Sequence, residues 1–369
     1  MLPLSTTLYL QQTRPTDMTM TGKTLGFGIV GTGVIAGFHA KAIAAAQGGY
    51  LVGVCSRTEA GAREFAQQHG VSFVARDAAQ LAAHPDIDAV CITTPSALHR
   101  EPALAAIRAG KHVMIEKPID ATVAGTDEIL DAAEAAGVRV GSIFQARFGD
   151  AARALKAAVD AGRFGRLALC SAYVKWNRNA AYYTGWKGKL ALDGGGALIN
   201  QAIHAVDLLQ WFAGMPTEVF GWSTRRVHTG IESEDTVSAT LRFGSGALGT
   251  IEASTAVWPG WSRRIEICGE TGSAALEDDD IARWEFQQEF PGDAALRTRR
   301  ESMGSGASSP TAIRFEGHLR QMQDFIDGIR EQRPFAIDGR EARKAVALVT
   351  AIYESAARGT VIRPAADRH

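Results

Sequence analysis

Residues 28–36 read Gly28-Ile29-Val30-Gly31-Thr32-Gly33-Val34-Ile35-Ala36. An apolar run from Leu25 enters this stretch and an alanine-rich one leaves it, so it joins a buried strand to a helix. Glycine, glycine and alanine fall at 31, 33 and 36, the G-x-G-x-x-A spacing. Gly31 permits a tight turn, Gly33 lets a pyrophosphate approach the backbone, and Ala36 lets the helix pack on the strand, with the phosphate at the helix N-terminus. A glycine triplet alone is weak evidence. Here the strand before it, the helix after it and a second strand ending at Cys55 supply the βαβ context that the motif requires. The stretch therefore predicts a dinucleotide site at Gly31, Thr32, Gly33, Val34 and Ile35.

Working outward, apolar runs alternate with amphipathic stretches. LGFGIVG precedes a helix near 34–47, LVGVC one near 58–69, AVCIT one near 100–109 and HVMIE one near 122–136, and VGSIF is a further strand. Strands separated by helices imply a doubly wound parallel sheet of the α/β Rossmann kind. At the end of its second strand, where Asp or Glu would accept a ribose hydroxyl, stand Ser56 and Arg57. An arginine there pairs with a 2′-phosphate or stacks on adenine, so the pair favours NADP over NAD without excluding NAD. Ligands bind outside the carboxyl ends of such strands, which brings Thr93, Thr94, Pro95 and Lys117 to one crevice. His99 either joins them or caps the helix that follows.

The composition narrows the partners. The chain has 369 residues, 46% of them hydrophobic and 21% charged, enough for two domains, and a formal net charge of −1. That charge offers no basic field for nucleic acid or anionic lipid. No run of about eighteen apolar residues is present, so no membrane span is expected. Residues 1–24 read as a disordered tail. Cys55, Cys91, Cys170 and Cys268 are far apart and form no C-x-x-C, which argues against disulfides and a zinc site and fits a cytoplasmic protein.

Beyond the first domain, expected over 25–145, the texture changes. Segments such as LALCSAYVKW, TVSATLRF and GALGTIEAST alternate like strands with one wet face, predicting an α+β domain over 146–369 with an open, mostly antiparallel sheet. Residues 291–312 read as a mobile loop or lid, and helices are expected near 314–332 and 340–358. A helix after Gly194-Gly195-Gly196 is apolar nearly all round, yet Asn200, His204, Asp207 and Trp211 fall within about one sixth of its circumference at 100° per residue. Such a polar stripe lines a cleft or is satisfied by internal hydrogen bonds. A metal reading of His204 and Asp207 is poor, because no further His or Cys cluster accompanies them. Residues 173–189, YVKWNRNAAYYTGWKGK, add Arg178, Tyr182, Tyr183, Trp186 and Lys187, which suit an acidic or phosphorylated sugar or are ordinary surface residues.

The combination of G-x-G-x-x-A, TPSALH and AGKHVMIEKPI resembles the Gfo/Idh/MocA oxidoreductases, and the resemblance runs to about residue 358. It implies an NAD(P)-dependent oxidoreductase acting on a secondary hydroxyl or ketone of a sugar or cyclitol, with the EKP lysine, Lys117, as acid/base and His204 as its partner. Expected on the cofactor side are Gly31, Thr32, Gly33, Val34, Ile35, Ser56, Arg57, Thr93, Thr94, Pro95, His99, Glu116 and Lys117, with the Glu116 side chain pointing out of the cleft. Expected on the substrate side are Arg147, Arg178, Tyr183, Trp186, Asn200, His204 and Asp207, with no metal. Asn200 departs from the family's usual aspartate and cannot take a proton. Homodimers or homotetramers through the open sheet are implied. WKGKLALDGGGALINQAIH resembles the branch containing nucleotide-sugar 3-dehydrogenases. The competing readings are a keto-sugar reductase of the 1,5-anhydrofructose reductase type and a non-catalytic redox sensor.

Overall fold

The computed structural model describes residues 22–298 and 315–366. The expected tail therefore lies almost wholly outside the described residues, as does residue 299 onward of the expected lid.

The first sheet contains β1 (Leu25–Val30), β2 (Gly49–Cys55), β3 (Phe73–Ala75), β4 (Ala89–Ile92), β5 (His112–Ile115) and β6 (Val140–Ser142). Every pairing is parallel and the order is β3-β2-β1-β4-β5-β6. Helices α1 (Val34–Ala45), α2 (Glu59–His69), α3 (Ala78–Ala82), α4 (Arg100–Arg108) and α5 (Val123–Ala136) cover it. All six residues of β1 are buried, as a central parallel strand with both faces covered must be. Strand order reverses beside β1, which puts the crevice between the loops after β1 and β4.

The second half contains α6 (Asp150–Asp160), β7 (Leu167–Lys175), α7 (Leu190–Asp193), a π-helix (Ala197–Ala202), α8 (Ile203–Ala213), β8 (Pro216–Thr224), β9 (Thr236–Phe243), β10 (Leu248–Ser254), β11 (Arg264–Gly269), β12 (Gly272–Glu277) and β13 (Asp280–Phe286). The strands form one sheet in the order β13-β12-β11-β7-β10-β9-β8, antiparallel except for the β7–β10 pair. Along β9, Val237, Ala239, Leu241 and Phe243 are buried while Ser238, Thr240 and Arg242 are exposed. The inward set packs with Val206 and Leu209 of α8 in one core, and the outward face leaves Leu169, Trp222 and Leu248 uncovered.

Helices α9 (Asp293–Thr298), α10 (Phe315–Arg330) and α11 (Gly339–Arg358) follow. Residues 293–298, inside the expected loop, are thus helical. The expected division at 145/146 is also not the division of the core. Met322, Phe325 and Ile326 of α10 pack with Phe27 of β1 and Ile43 of α1, so the chain returns to complete its first domain.

Candidate active site

The β1–α1 turn is shaped for a phosphate. Gly31 has φ +100, and a Cβ there would stand 2.8 Å from the Thr93 backbone oxygen. Gly33 is the N-cap of α1 and no side chain caps that helix, whereas Thr58 and Thr122 cap α2 and α5. A Cβ on Gly33 would meet nothing within 4 Å, so its backbone faces open space. Uncapped N–H groups, a bare approach and the helix dipole together fit a dinucleotide pyrophosphate. Thr32 Oγ1 lies 2.9 Å from Ser56 Oγ at the end of β2, and Arg57 is exposed beside them.

The β4 loop is braced rather than open. Thr93 Oγ1 donates to the Val30 oxygen at 3.0 Å and Thr94 Oγ1 to the Leu98 oxygen at 3.0 Å. His99 is 1% exposed, with Nδ1 2.7 Å from the Pro118 oxygen and Nε2 3.0 Å from the Thr94 oxygen. Its imidazole was expected at the cofactor or as a cap. It makes no side-chain cap bond to α4; burial lowers its pKa, and the neutral ring lies between the Thr94 and Pro118 backbone oxygens, donating its single N–H to one of them, where the β4 and β5 loops meet.

Lys117 leaves the end of β5, followed by a cis peptide to Pro118. Its Nζ donates to the backbone oxygen of Asn200 in the π-helix at 2.9 Å, so the amine of the first domain reaches the polar helix of the second. Burial lowers the pKa of Lys117, against the opposing charges of Glu116 and Asp193. One turn along, His204 has a buried Nδ1 with no hydrogen-bond partner and lies edge-on to Phe144 at 5.7 Å. Burial first, then the charges of Lys117 and Arg263, push its pKa well below the ordinary histidine value, so the imidazole is neutral at physiological pH.

The π-helix is held from outside. Leu198 N and Tyr353 Oη donate to Glu234 Oε1 at 2.9 and 2.8 Å, and Ile199 N donates to Tyr353 Oη at 3.2 Å. Gly196 is required where that segment passes Glu234, since a Cβ would stand 1.9 Å from the Glu234 backbone oxygen. Around Asn200 lies a polar cluster. Its Nδ2 donates to Asp193, and its Oδ1 accepts from Lys187 Nζ at 3.2 Å and Gln201 Nε2 at 2.7 Å. Lys187 sits 4.0 Å above the Trp186 ring. Its pKa falls to about 8, chiefly through burial, with Asp193 opposing and Lys117 assisting. Arg178, 4% exposed, donates to Gln201 Oε1 at 2.9 Å and lies over Trp176 and Tyr182. Tyr183 donates to Thr255 Oγ1 at 2.8 Å.

Lys117, His204, Asn200, Arg178, Tyr183 and Trp186 thus belong to one connected region. Arg147 and Asp207 do not serve it. Arg147 Nε and Nη2 form a two-point bond with Asp207 at 2.7 and 2.6 Å, and Nη1 reaches Glu341 at 2.8 Å, with both partners of the first pair almost fully buried. Asp207 follows His204 within the regular α8, and it is the pairing with Arg147 that takes its carboxylate away from the cleft. The π-helix disturbs a different part of the expected stripe: it carries an extra residue per turn, so even 100° spacing fails between Asn200 and His204. Asp193, Gln201 and His39 escaped the sequence reading, since they share no helical period with the residues they touch.

Among the described residues no three His, Cys, Asp or Glu side chains are grouped to hold a metal ion, and no helix is long and apolar enough to cross a membrane. Residues 25–144 match the model of an oxidoreductase family with an NAD-binding Rossmann fold, and residues 152–275 match the GFO/IDH/MocA C-terminal domain. The chain belongs to the Gfo/Idh/MocA family. As a Gfo/Idh/MocA member it is an NAD(P)-dependent oxidoreductase acting on CH–OH groups, of the kind that handles sugars and cyclitols.

This Gfo/Idh/MocA chain is 32% identical to 1,5-anhydro-D-fructose reductase of Ensifer adhaerens over 60% of its own length and 67% of that protein's. It is 27% identical to myo-inositol 2-dehydrogenase of Thermotoga maritima, over 89% and 95% of the two chains. The WlbA dehydrogenase of Bordetella pertussis, solved with NADH and UDP-GlcNAcA, superposes with a TM-score of 0.85 at 31% identity, covering 94% of this chain and 100% of that one.

Proposed function

We propose that the protein oxidises a ring hydroxyl of an acidic, nucleotide-linked sugar, with Lys117 as the base and NAD(H) as the cofactor. The observation that carries this is the 2.9 Å contact between the Lys117 amine and the Asn200 backbone, which delivers a depressed-pKa lysine to the helix bearing His204. When bound, the nicotinamide accepts the hydride. Loss of hydride from carbon requires a base within hydrogen-bond reach of the same carbon's hydroxyl. A free lysine, with a pKa of about 10.4, needs a fall of roughly 2–3 units, about 3–4 kcal/mol of bias against the ammonium. Burial supplies that direction. Neutral His204 orients the hydroxyl, and Asn200, an amide, leaves proton transfer to the lysine.

The acidic substrate is favoured by Arg178 and Lys187, two cations flanking Asn200 and Gln201, and by the likeness to a dehydrogenase solved with UDP-GlcNAcA. That neighbour's NADH supports NAD(H). Ser56 and Arg57 leave room for NADP, so comparing the dissociation constants of the two cofactors tests this part. The reductive direction is favoured only by the identity with 1,5-anhydro-D-fructose reductase.

The test follows nicotinamide absorbance with UDP-linked uronates, free uronates and inositols. We expect turnover with the UDP-linked acid. Lys117→Met should keep NADH affinity while kcat falls by roughly 10³ or more, and a Lys117→Met enzyme retaining parental kcat refutes the assignment.

A further inference from the structure

The EKP sequence sets a carboxylate directly before the lysine, where an uncompensated Glu116 would hold the ammonium charged. The structure turns Glu116 back beneath β5, 6% exposed, where Oε1 lies 2.8 Å from Nε2 of His39 and Oε2 accepts from the Lys117 backbone N–H at 3.2 Å. His39 is itself 1% exposed and sits in α1, six residues beyond Gly33. We propose that His39 is a positioning residue for Lys117, holding Glu116 out of the cleft and cancelling its charge so that the amine does not stand beside a net anion.

The pair is net neutral whichever atom carries the shared proton. Titration supports the ionised form. Burial works against the His39 imidazolium, but Cys91 and Glu116 outweigh it and raise its pKa to about 10. Burial likewise works against the Glu116 carboxylate, but His39, His318 and Lys117 bring it down to about 2. The other charged or titratable neighbours are few. Asp193 from α7 acts on Lys117, Lys187 and His204 are repelled by it, and Arg263 acts on His204. From α10, His318 faces both members of the pair, its ring 6.4 Å from that of His39. Of these, only Glu116 adjoins Lys117 in sequence and is bonded to its backbone.

This inference rests on Lys117 being the base. Its test is the pH dependence of kcat/KM at saturating cofactor for His39→Gln, Glu116→Gln and the double variant. Removing the cation leaves an anion beside the amine, so His39→Gln should move the acidic limb upward by roughly one to two pH units, with activity recovered at higher pH. Glu116→Gln should move it down, and the double variant should return near the parent, with cofactor affinity changed less than about threefold throughout. Glu116→Gln keeps the side chain's shape and one acceptor oxygen, the other position becoming an NH2 donor, and reads the sign even if His39→Gln folds poorly. A loss of activity uniform in pH, or shifts of the same sign, overturns the proposal. An active Lys117→Met enzyme would instead remove the base itself, so the two failures are distinct.

Discussion

At the scale of single residues, the site is a set of buried charges whose titration is set by their neighbours. Lys187 is the clearest readable case, its pKa lowered to about 8 mainly by burial. It is cationic below that pH and neutral above it, so affinity for an anionic sugar should weaken as the pH rises through about 8. We expect KM to climb up to about tenfold between pH 7 and 9 while kcat changes less, and Lys187→Met to abolish that limb, measured with initial rates across the range. The ordinary lysine pKa would place this limb beyond pH 10, so its position reports the environment rather than the residue type. Lys117, His204 and Arg178 were legible in the sequence because their chemistry is tied to motifs or aromatic neighbours. Asp193 and His39 were not, because their roles come from tertiary contacts with Asn200 and Glu116 across seven and seventy-seven residues.

At the scale of elements, the two ends of the cleft use glycine differently. Gly33 faces open space while Gly196 is jammed against Glu234. Gly33→Ala should therefore leave the melting temperature within about 1 °C of the parent, because its φ of −74 suits alanine, yet weaken NADH binding by about tenfold or more. Differential scanning fluorimetry and fluorescence titration of NADH check the two halves of that statement. Most of the elements were readable because their periods are undisturbed. The helix expected over 122–136 is observed as Val123–Ala136, and that expected over 340–358 as Gly339–Arg358. β3 was not readable, since three residues hold too little pattern to show a period. The π-helix was the more consequential miss. Its first residues look like any apolar helix, and only the external bonds from Glu234 and Tyr353 reveal why the backbone is rewound there. The EKP lysine then finds a backbone oxygen, a partner that no count of side chains along a helix discloses.

At the scale of the whole molecule, Arg147 joins α8 to α11 through Asp207 and Glu341 and lies 5.1 Å from the Trp211 ring. Asp207→Asn leaves a buried guanidinium half-paired and should lower stability by about 3 kcal/mol in urea unfolding while KM for sugar stays unchanged. A change in KM alone would return Asp207 to the cleft. The outward face of the second sheet, with Leu169, Trp222 and Leu248 uncovered, is the surface through which we expect copies to associate, and sedimentation velocity reads that directly. The return of α10 to the first domain has a different outcome, one concerning birth rather than turnover. While the ribosome is still making the second half, Phe27 and Ile43 lack Phe325 and Ile326, so the nucleotide-binding half, whose sequence is complete near residue 145, emerges with a raw apolar flank that stays open until Phe325 and Ile326 have been translated. Its maturation is thus post-translational in timing although its sequence comes first, and a nascent chain stalled before residue 315 should recruit holdase chaperones that the finished protein no longer meets.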